Sequence, residues 1–238
     1  MRLFRKARFF WVYPLAVWLF ITAQISESSL RLGIIFVVLG EALRLWANGF
    51  VGHMKVNLTQ KWRNDPKIGR LITAGPYAFV RHPLYLGTFL IGIGFCIAVR
   101  NVLAGVGALG FFYFMYTKKV QREEAIILGE WGSEFEAYQR VVPRWWPFHR
   151  PYASGVGRWS WQGISASKEI KTVLWVAAAF LMLYFREEIW QEREWFVAKK
   201  WAKHLILLAC FMILIASDGV LELSKRLRQR APHAGTTQ

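Results

Sequence analysis

The chain has 238 residues, 55% of them hydrophobic and 16% aromatic but only 19% charged, and 31 basic against 15 acidic side chains give it a net charge of +16. That aromatic content excludes a disordered basic tail, and long unbroken apolar blocks exclude an ordinary soluble domain, whose apolar residues fall in amphipathic stripes. Apolar blocks separated by basic, Trp-rich segments instead predict an all-α polytopic transmembrane bundle whose loops meet anionic lipid headgroups, with no nucleic-acid partner.

A helix needs about 20 mostly apolar residues to cross the hydrocarbon core, fewer where Arg, Lys and Trp anchor its ends. On that ruler six spans are expected, at 9–25, 30–50, 85–99, 102–120, 170–185 and 202–216, with five as the alternative because the third and fifth are short. The first follows Arg2, Arg5, Lys6 and Arg8 and has no small-residue cleavage site, so it reads as an uncleaved span. With six spans, all four basic groups of the chain fall on one side. The positive-inside rule makes that side cytoplasmic, with both termini on it, and a bacterial inner membrane is the expected location. Three parts follow: a membrane-embedded core over 1–150, an interfacial connector over 151–169 carrying Trp159 and Trp161, and a C-terminal hairpin with a basic tail over 170–238. The hairpin reads as a packing or oligomerisation element.

Cys96 and Cys210 lie inside apolar blocks without partner spacing, which supports neither a disulfide framework nor a metal site. Gly105, Gly107 and Gly110 fit G-x-G-x-x-G, but within an apolar span that pattern predicts close helix approach rather than dinucleotide binding. Glu41 and Arg44 stand three residues apart in the second span, on one helix face. Ionisable residues inside a membrane are functional candidates, and the pair reads either as substrate-binding or as mutual neutralisation.

The informative stretch runs from Gly75-Pro76-Tyr77 through Arg81-His82-Pro83 to Tyr85 and Gly87. Pro83 suits the first position of a helix, whose free N–H groups and positive dipole end then lie beside Arg81 and His82. From Tyr85 the chain crosses, turns at Arg100-Asn101 and returns, so Arg122, Glu123 and Glu124 arrive at the level of Arg81 and His82. Such a cluster can hold a zwitterion.

These residues, followed by Leu128, Trp131-Gly132, Phe135, Tyr138, Val142-Pro143 and Pro147-Phe148, resemble the isoprenylcysteine carboxyl methyltransferase and phospholipid methyltransferase superfamily over roughly 43–148. Trp131 stands where that family usually has Phe, and Phe135 where it often has Tyr. The resemblance implies a membrane enzyme using S-adenosylmethionine, bound between the third and fourth spans beneath a short cytosolic cap that follows the fourth. It implies that Tyr77, His82, Pro83, Tyr85, Gly87 and Glu124 line the cofactor pocket, while Arg122, Glu123 and Arg81 serve the chemistry on a lipid or isoprenylated carboxylate that enters from the bilayer. Two rival readings are an NADPH-dependent membrane reductase resembling the steroid 5α-reductases and a non-catalytic membrane scaffold. Intact Arg-His-Pro-x-Tyr-x-Gly and Glu-Glu stretches favour the methyltransferase over both.

Overall fold

The structure, a computed structural model, describes residues 21–51, 71–147, 150–167 and 169–191 and seven positions between 205 and 220. The described residues are helical, with no strand among them. Helix α1 is Glu27–Val51, a 3-10 turn is Gly75–Ala78, α2 is Pro83–Val99, α3 is Val102–Val141, α4 is Trp161–Ala166 and α5 is Glu169–Gln191. One compact unit runs through Glu169, so it takes in the 151–169 connector, and a second runs from Ile170.

Helix α1 coincides with the expected second span, α2 with the third, and α5 contains the fifth. The expected first span lies mostly outside the described residues, as does the sixth. Among the described residues one helix, α1, is long and apolar enough to cross a membrane on its own, and α2 is a shorter apolar helix. Helix α3 opens on an apolar run that Lys118 and Lys119 end, and the apolar run of α5 lies between Lys171 and Arg186.

Helix α1 is built inside out. Its buried face carries Gly33, Val37, Gly40 and Ala47, while Leu32, Ile35, Val38 and Leu39 are 50–59% exposed. Small residues inward and large aliphatics outward suit a helix solvated by lipid, where close backbone approach holds helices together. The close approach is to α2. A Cβ on Gly33 would lie 2.6 Å from the Gly94 carbonyl oxygen, and one on Gly40 would lie 2.6 Å from that of Gly87. Partners on α2 run backwards as α1 runs forwards, so the two helices are antiparallel. Of the three glycines expected to let helices approach in α3, Gly105 does so, a Cβ there falling 3.2 Å from Cys96 Cβ on α2, whereas Gly107 and Gly110 have nothing within 4 Å among the described residues.

Where α2 ends, Arg100 adopts φ 54° and its N–H reaches the carbonyls of Cys96 and Ile97 at 3.2 Å. This is the expected tight turn, and it starts α3 two residues later. The turn also receives the start of α1: the Gln24 N–H donates to Val99 O at 3.0 Å and the Ser29 hydroxyl to Ala98 O at 3.1 Å.

Helix α3 continues well past the expected end of the fourth span. It breaks at Gly132, whose φ of 44° and ψ of −119° are non-helical. The segment beyond turns back so that Phe135, Tyr138 and Val142 form a buried cluster with Leu71 and Ile127. Residues 151–160 then run along the stretch before α2: the Thr73 and Ala74 N–H groups donate to Val156 O, at 3.0 and 3.1 Å, and the Tyr152 N–H donates to Ala78 O at 3.0 Å. Ser160 caps α4 by accepting from the Gly163 N–H at 3.1 Å.

The seam predicts a contrast between two glycines. Gly40→Leu should lower the thermal midpoint of detergent-solubilised protein, at a cost on the order of 1–3 kcal/mol for overpacking. Gly110→Leu should leave it within a degree or two, and differential scanning fluorimetry of both variants reads the difference.

Candidate functional site

The site grows from one carboxylate. Glu124, on α3, is buried, and two arginines and a histidine from two stretches of chain converge on it. Arg81 reaches Oε1 at 3.0 Å from the loop before α2, and His82 Nε2 reaches the same oxygen at 3.0 Å from the N-cap of that helix. Arg144, from the stretch of chain after α3, donates through Nε to Oε1 at 3.2 Å and through Nη2 to Oε2 at 2.5 Å. Burial raises the carboxyl's pKa, but the hydrogen bonds from His82 and Arg144 and the charges of Arg81 and His82 outweigh it and push it down to about 2. Burial likewise lowers the pKa of Arg81, against the pull of Glu124.

The backbone explains how the cations are delivered. Pro83 opens α2, as expected, and leaves the His82 carbonyl to accept from the Tyr85 and Leu86 N–H groups at 3.1 Å. The Arg81 N–H donates to Pro143 O at 2.9 Å, tying Arg81 to the chain next to Arg144. Tyr138 fixes the same return segment by donating its hydroxyl to Tyr77 O at 2.6 Å.

Glu123 lies beside this hub but is bonded differently. Its Oε1 accepts from the Tyr85 hydroxyl at 2.6 Å, and Lys119 Nζ stands 3.9 Å from that same oxygen. Around it runs a set of rings: Tyr85 edge-on to Tyr116 at 4.8 Å, Tyr116 stacked on Phe112 at 4.1 Å, and His82 6.2 Å from Trp145. Lys119 lies over the Tyr85 ring at 5.0 Å. The Tyr77 hydroxyl is pushed up by burial and by the charges of Tyr138, Glu123 and Glu169, so it stays protonated and able to donate. The Glu123 carboxylate, a buried Arg81 Nε without a hydrogen-bond partner among the described residues and flat aromatic faces can together take a ligand that carries an ammonium, an anionic group and a ring.

Two residues expected here lie elsewhere. Arg122 is exposed, because neighbours in a helix point about 100° apart and the inward positions go to Glu123 and Glu124. Arg144 occupies the place beside the carboxylates. Gly87, two residues from Tyr85, lies on the opposite face of α2, where a Cβ would fall 2.5 Å from Arg44 Cγ and 2.7 Å from the Gly40 carbonyl oxygen.

A second buried polar group lies between α1 and α2. Arg44 donates from Nε and Nη2 to the two oxygens of Glu169, at 2.5 and 3.0 Å, and from Nη1 to Leu84 O at 3.3 Å and to the Thr88 hydroxyl. Asn48 Nδ2 joins Glu169 Oε2 at 2.8 Å. Arg44 is thus neutralised by Glu169, not by Glu41, whose two oxygens are buried and without a hydrogen-bond partner among the described residues. No metal-binding group of His, Cys, Asp or Glu is found among the described residues.

Comparison with known proteins matches residues 33–128 to the isoprenylcysteine carboxyl methyltransferase (ICMT) family. The protein-S-isoprenylcysteine O-methyltransferase of Homo sapiens is 31% identical over 125 residues, which is 52% of this chain and 43% of that protein. Its counterpart in Schizosaccharomyces pombe is 29% identical over 108 residues, 45% of each chain. The cobalt-zinc-cadmium resistance protein CzcN of Cupriavidus metallidurans is 29% identical over 153 residues, 63% of each. The matched stretch thus spans less than half the length of these two methyltransferases. No solved structure matches the chain.

The hub makes a pH prediction. The pKa of Glu124 is depressed on folding, from an ordinary 4.5 to about 2, so its stabilisation is complete above pH 4.5 and is lost as the pH falls towards 2. Thermal midpoints of wild type and Glu124→Gln should differ at pH 5 and converge as the pH falls from 4.5 towards 2.

Proposed function

We propose, from the premise that this chain belongs to the isoprenylcysteine carboxyl methyltransferase superfamily, that it is an integral-membrane S-adenosylmethionine-dependent methyltransferase acting on a lipid or isoprenylated carboxylate. The observation that carries this reading is the juxtaposition of Arg81, His82 and Tyr85 with Glu123 and Glu124 at hydrogen-bond distance, from two stretches about 40 residues apart within the matched segment. Apolar surface on α1 and the hydropathy of α1 and α2 support a place in the bilayer, and the basic loops support a six-span arrangement with the site on the cytoplasmic side.

The geometry divides the work between the two acidic side chains. Glu124 is saturated by Arg81, His82 and Arg144, so it fixes the site's shape. Glu123, bonded through Oε1 to the Tyr85 hydroxyl, is the carboxylate that would take the cofactor's ammonium or ribose hydroxyls, with Tyr77, His82 and Tyr85 around it. Bound there, S-adenosylmethionine supplies a methyl group on a sulfonium. The chain's own contribution is then orientation and exclusion of water, through Trp145, Tyr116 and the return segment that carries Tyr138. A carboxylate acceptor needs no base at neutral pH. An amine acceptor would have to lose a proton, for which Glu123 is the candidate base. On the other side of α2, Glu41 has unbonded oxygens for the acceptor's polar end, while the donors of Arg44 are largely committed to Glu169, Thr88 and Leu84.

Calorimetry on detergent-purified protein tests this. Wild type should bind S-adenosylmethionine, and His82→Ala and Glu123→Ala should weaken binding by about tenfold or more, the worth of a charge-assisted hydrogen bond. Binding of NADPH in its place would favour the reductase reading. Incubation with methyl-labelled cofactor and membrane lipids, followed by extraction, should place label in the lipid fraction. Arg122→Ala should retain that labelling, and its loss with cofactor binding intact would return Arg122 to the reacting groups.

A further inference from the structure

We infer that Glu169, which lies beyond the family-matched segment, is a positioning residue for the site: through Arg44 it braces the first turn of α2, the turn that carries Tyr85 and is capped by His82.

Glu169 is 1% exposed, and both its oxygens are engaged by α1, through Arg44 and Asn48. Its backbone is held as firmly, since the Glu169 N–H donates to the Ser167 hydroxyl at 3.2 Å while that hydroxyl donates to Ile164 O at 2.7 Å. A buried carboxylate so fixed sets the direction of the guanidinium that it binds bidentately. The Arg44 stem then lies across Gly87, which is why no side chain fits there. Its far end meets α2 at Leu84 O and at the Thr88 hydroxyl, which itself donates to Leu84 O at 2.9 Å.

Leu84 and Thr88 are one helical turn apart and bracket Tyr85 in the chain, about 100° and 60° round the helix from it. Anything that shifts this turn shifts the Tyr85 hydroxyl on Glu123 and the His82 ring on Glu124, two bonds of 2.6 and 3.0 Å. The α1 side of α2 is therefore clamped by an ion pair, and the α3 side carries the site. Loss of Glu169 alone would leave a guanidinium buried without its anion, which is costly in any reading, so the test needs a folded protein that lacks the pair.

Arg44→Met/Glu169→Leu replaces both charges with apolar groups, an exchange that buried ion pairs tolerate. Wild type, Glu169→Ala and this double variant, each in detergent, are compared by thermal midpoint, by hydrogen exchange of the 84–88 amides and by S-adenosylmethionine affinity. Glu169→Ala should be destabilised and the double variant should recover the wild-type midpoint. In that stable double variant the 84–88 amides should still exchange about tenfold faster and the cofactor should bind about fivefold more weakly. Wild-type exchange and affinity in it would overturn the inference and leave the pair as packing alone. If the double variant does not fold, Glu169→Gln, which keeps one acceptor oxygen for Arg44, takes its place: faster 84–88 exchange and weaker cofactor binding in it uphold the brace, and wild-type values overturn it. The cofactor readout rests on the methyltransferase reading, but the exchange readout does not. Faster exchange in a protein whose wild type binds no S-adenosylmethionine would uphold the brace and sink the methyltransferase.

Discussion

Everything around the site depends on the ion cluster at Glu124. Removing a carboxylate from water is expensive, and only close, well-directed cations offset the cost. Here Arg81 and His82 come from the entry to α2 and Arg144 from the chain after α3, while the carboxylate comes from α3 itself. Satisfying one anion therefore fixes the mutual position of three pieces of chain. The Gly132 break in α3 serves this requirement, because a helix that ran straight on would carry Pro143 and Arg144 away from Arg81.

Helix α2 has different tasks on its two faces. Towards α1 it presents Gly87 and Gly94, so the backbones meet without a layer of side chains between them. Towards α3 it presents His82, Tyr85 and Phe89, which meet carboxylates and rings. Rigid packing on the first face makes hydrogen-bond geometry on the second reproducible. In lipid, where burying apolar surface gives helices little reason to associate, such tight seams and buried polar links carry more of the stability than they would in water.

The hairpin that brings Arg81 and His82 to Glu124 was legible in the sequence, because it needs only two helices of comparable length and the turn at Arg100. Local signals at Pro83 and Gly75 placed the start of α2 and the bend before it. Long-range partners were not legible. Nothing in the spacing links Arg44 to Glu169, 125 positions later, since Glu41 is the nearer acid in sequence and only tertiary structure turns it aside. Arg144 was missed for a similar reason: Arg122 adjoins the acidic pair in sequence, but helical rotation carries it outward. A readable signal for the seam did exist. Gly33 and Gly40 are seven residues apart, as are Gly87 and Gly94, a spacing that returns a glycine to the same helix face every second turn.

The first compact unit ends at Glu169, the residue that neutralises Arg44. The segment matched to the family ends earlier, at 128. The smallest portable piece of this protein is thus longer than its recognisable motifs. A chimera joined at 128 or 150 would move the hairpin of α2 and α3 without its counter-ion, stranding a guanidinium in the apolar layer between α1 and α2.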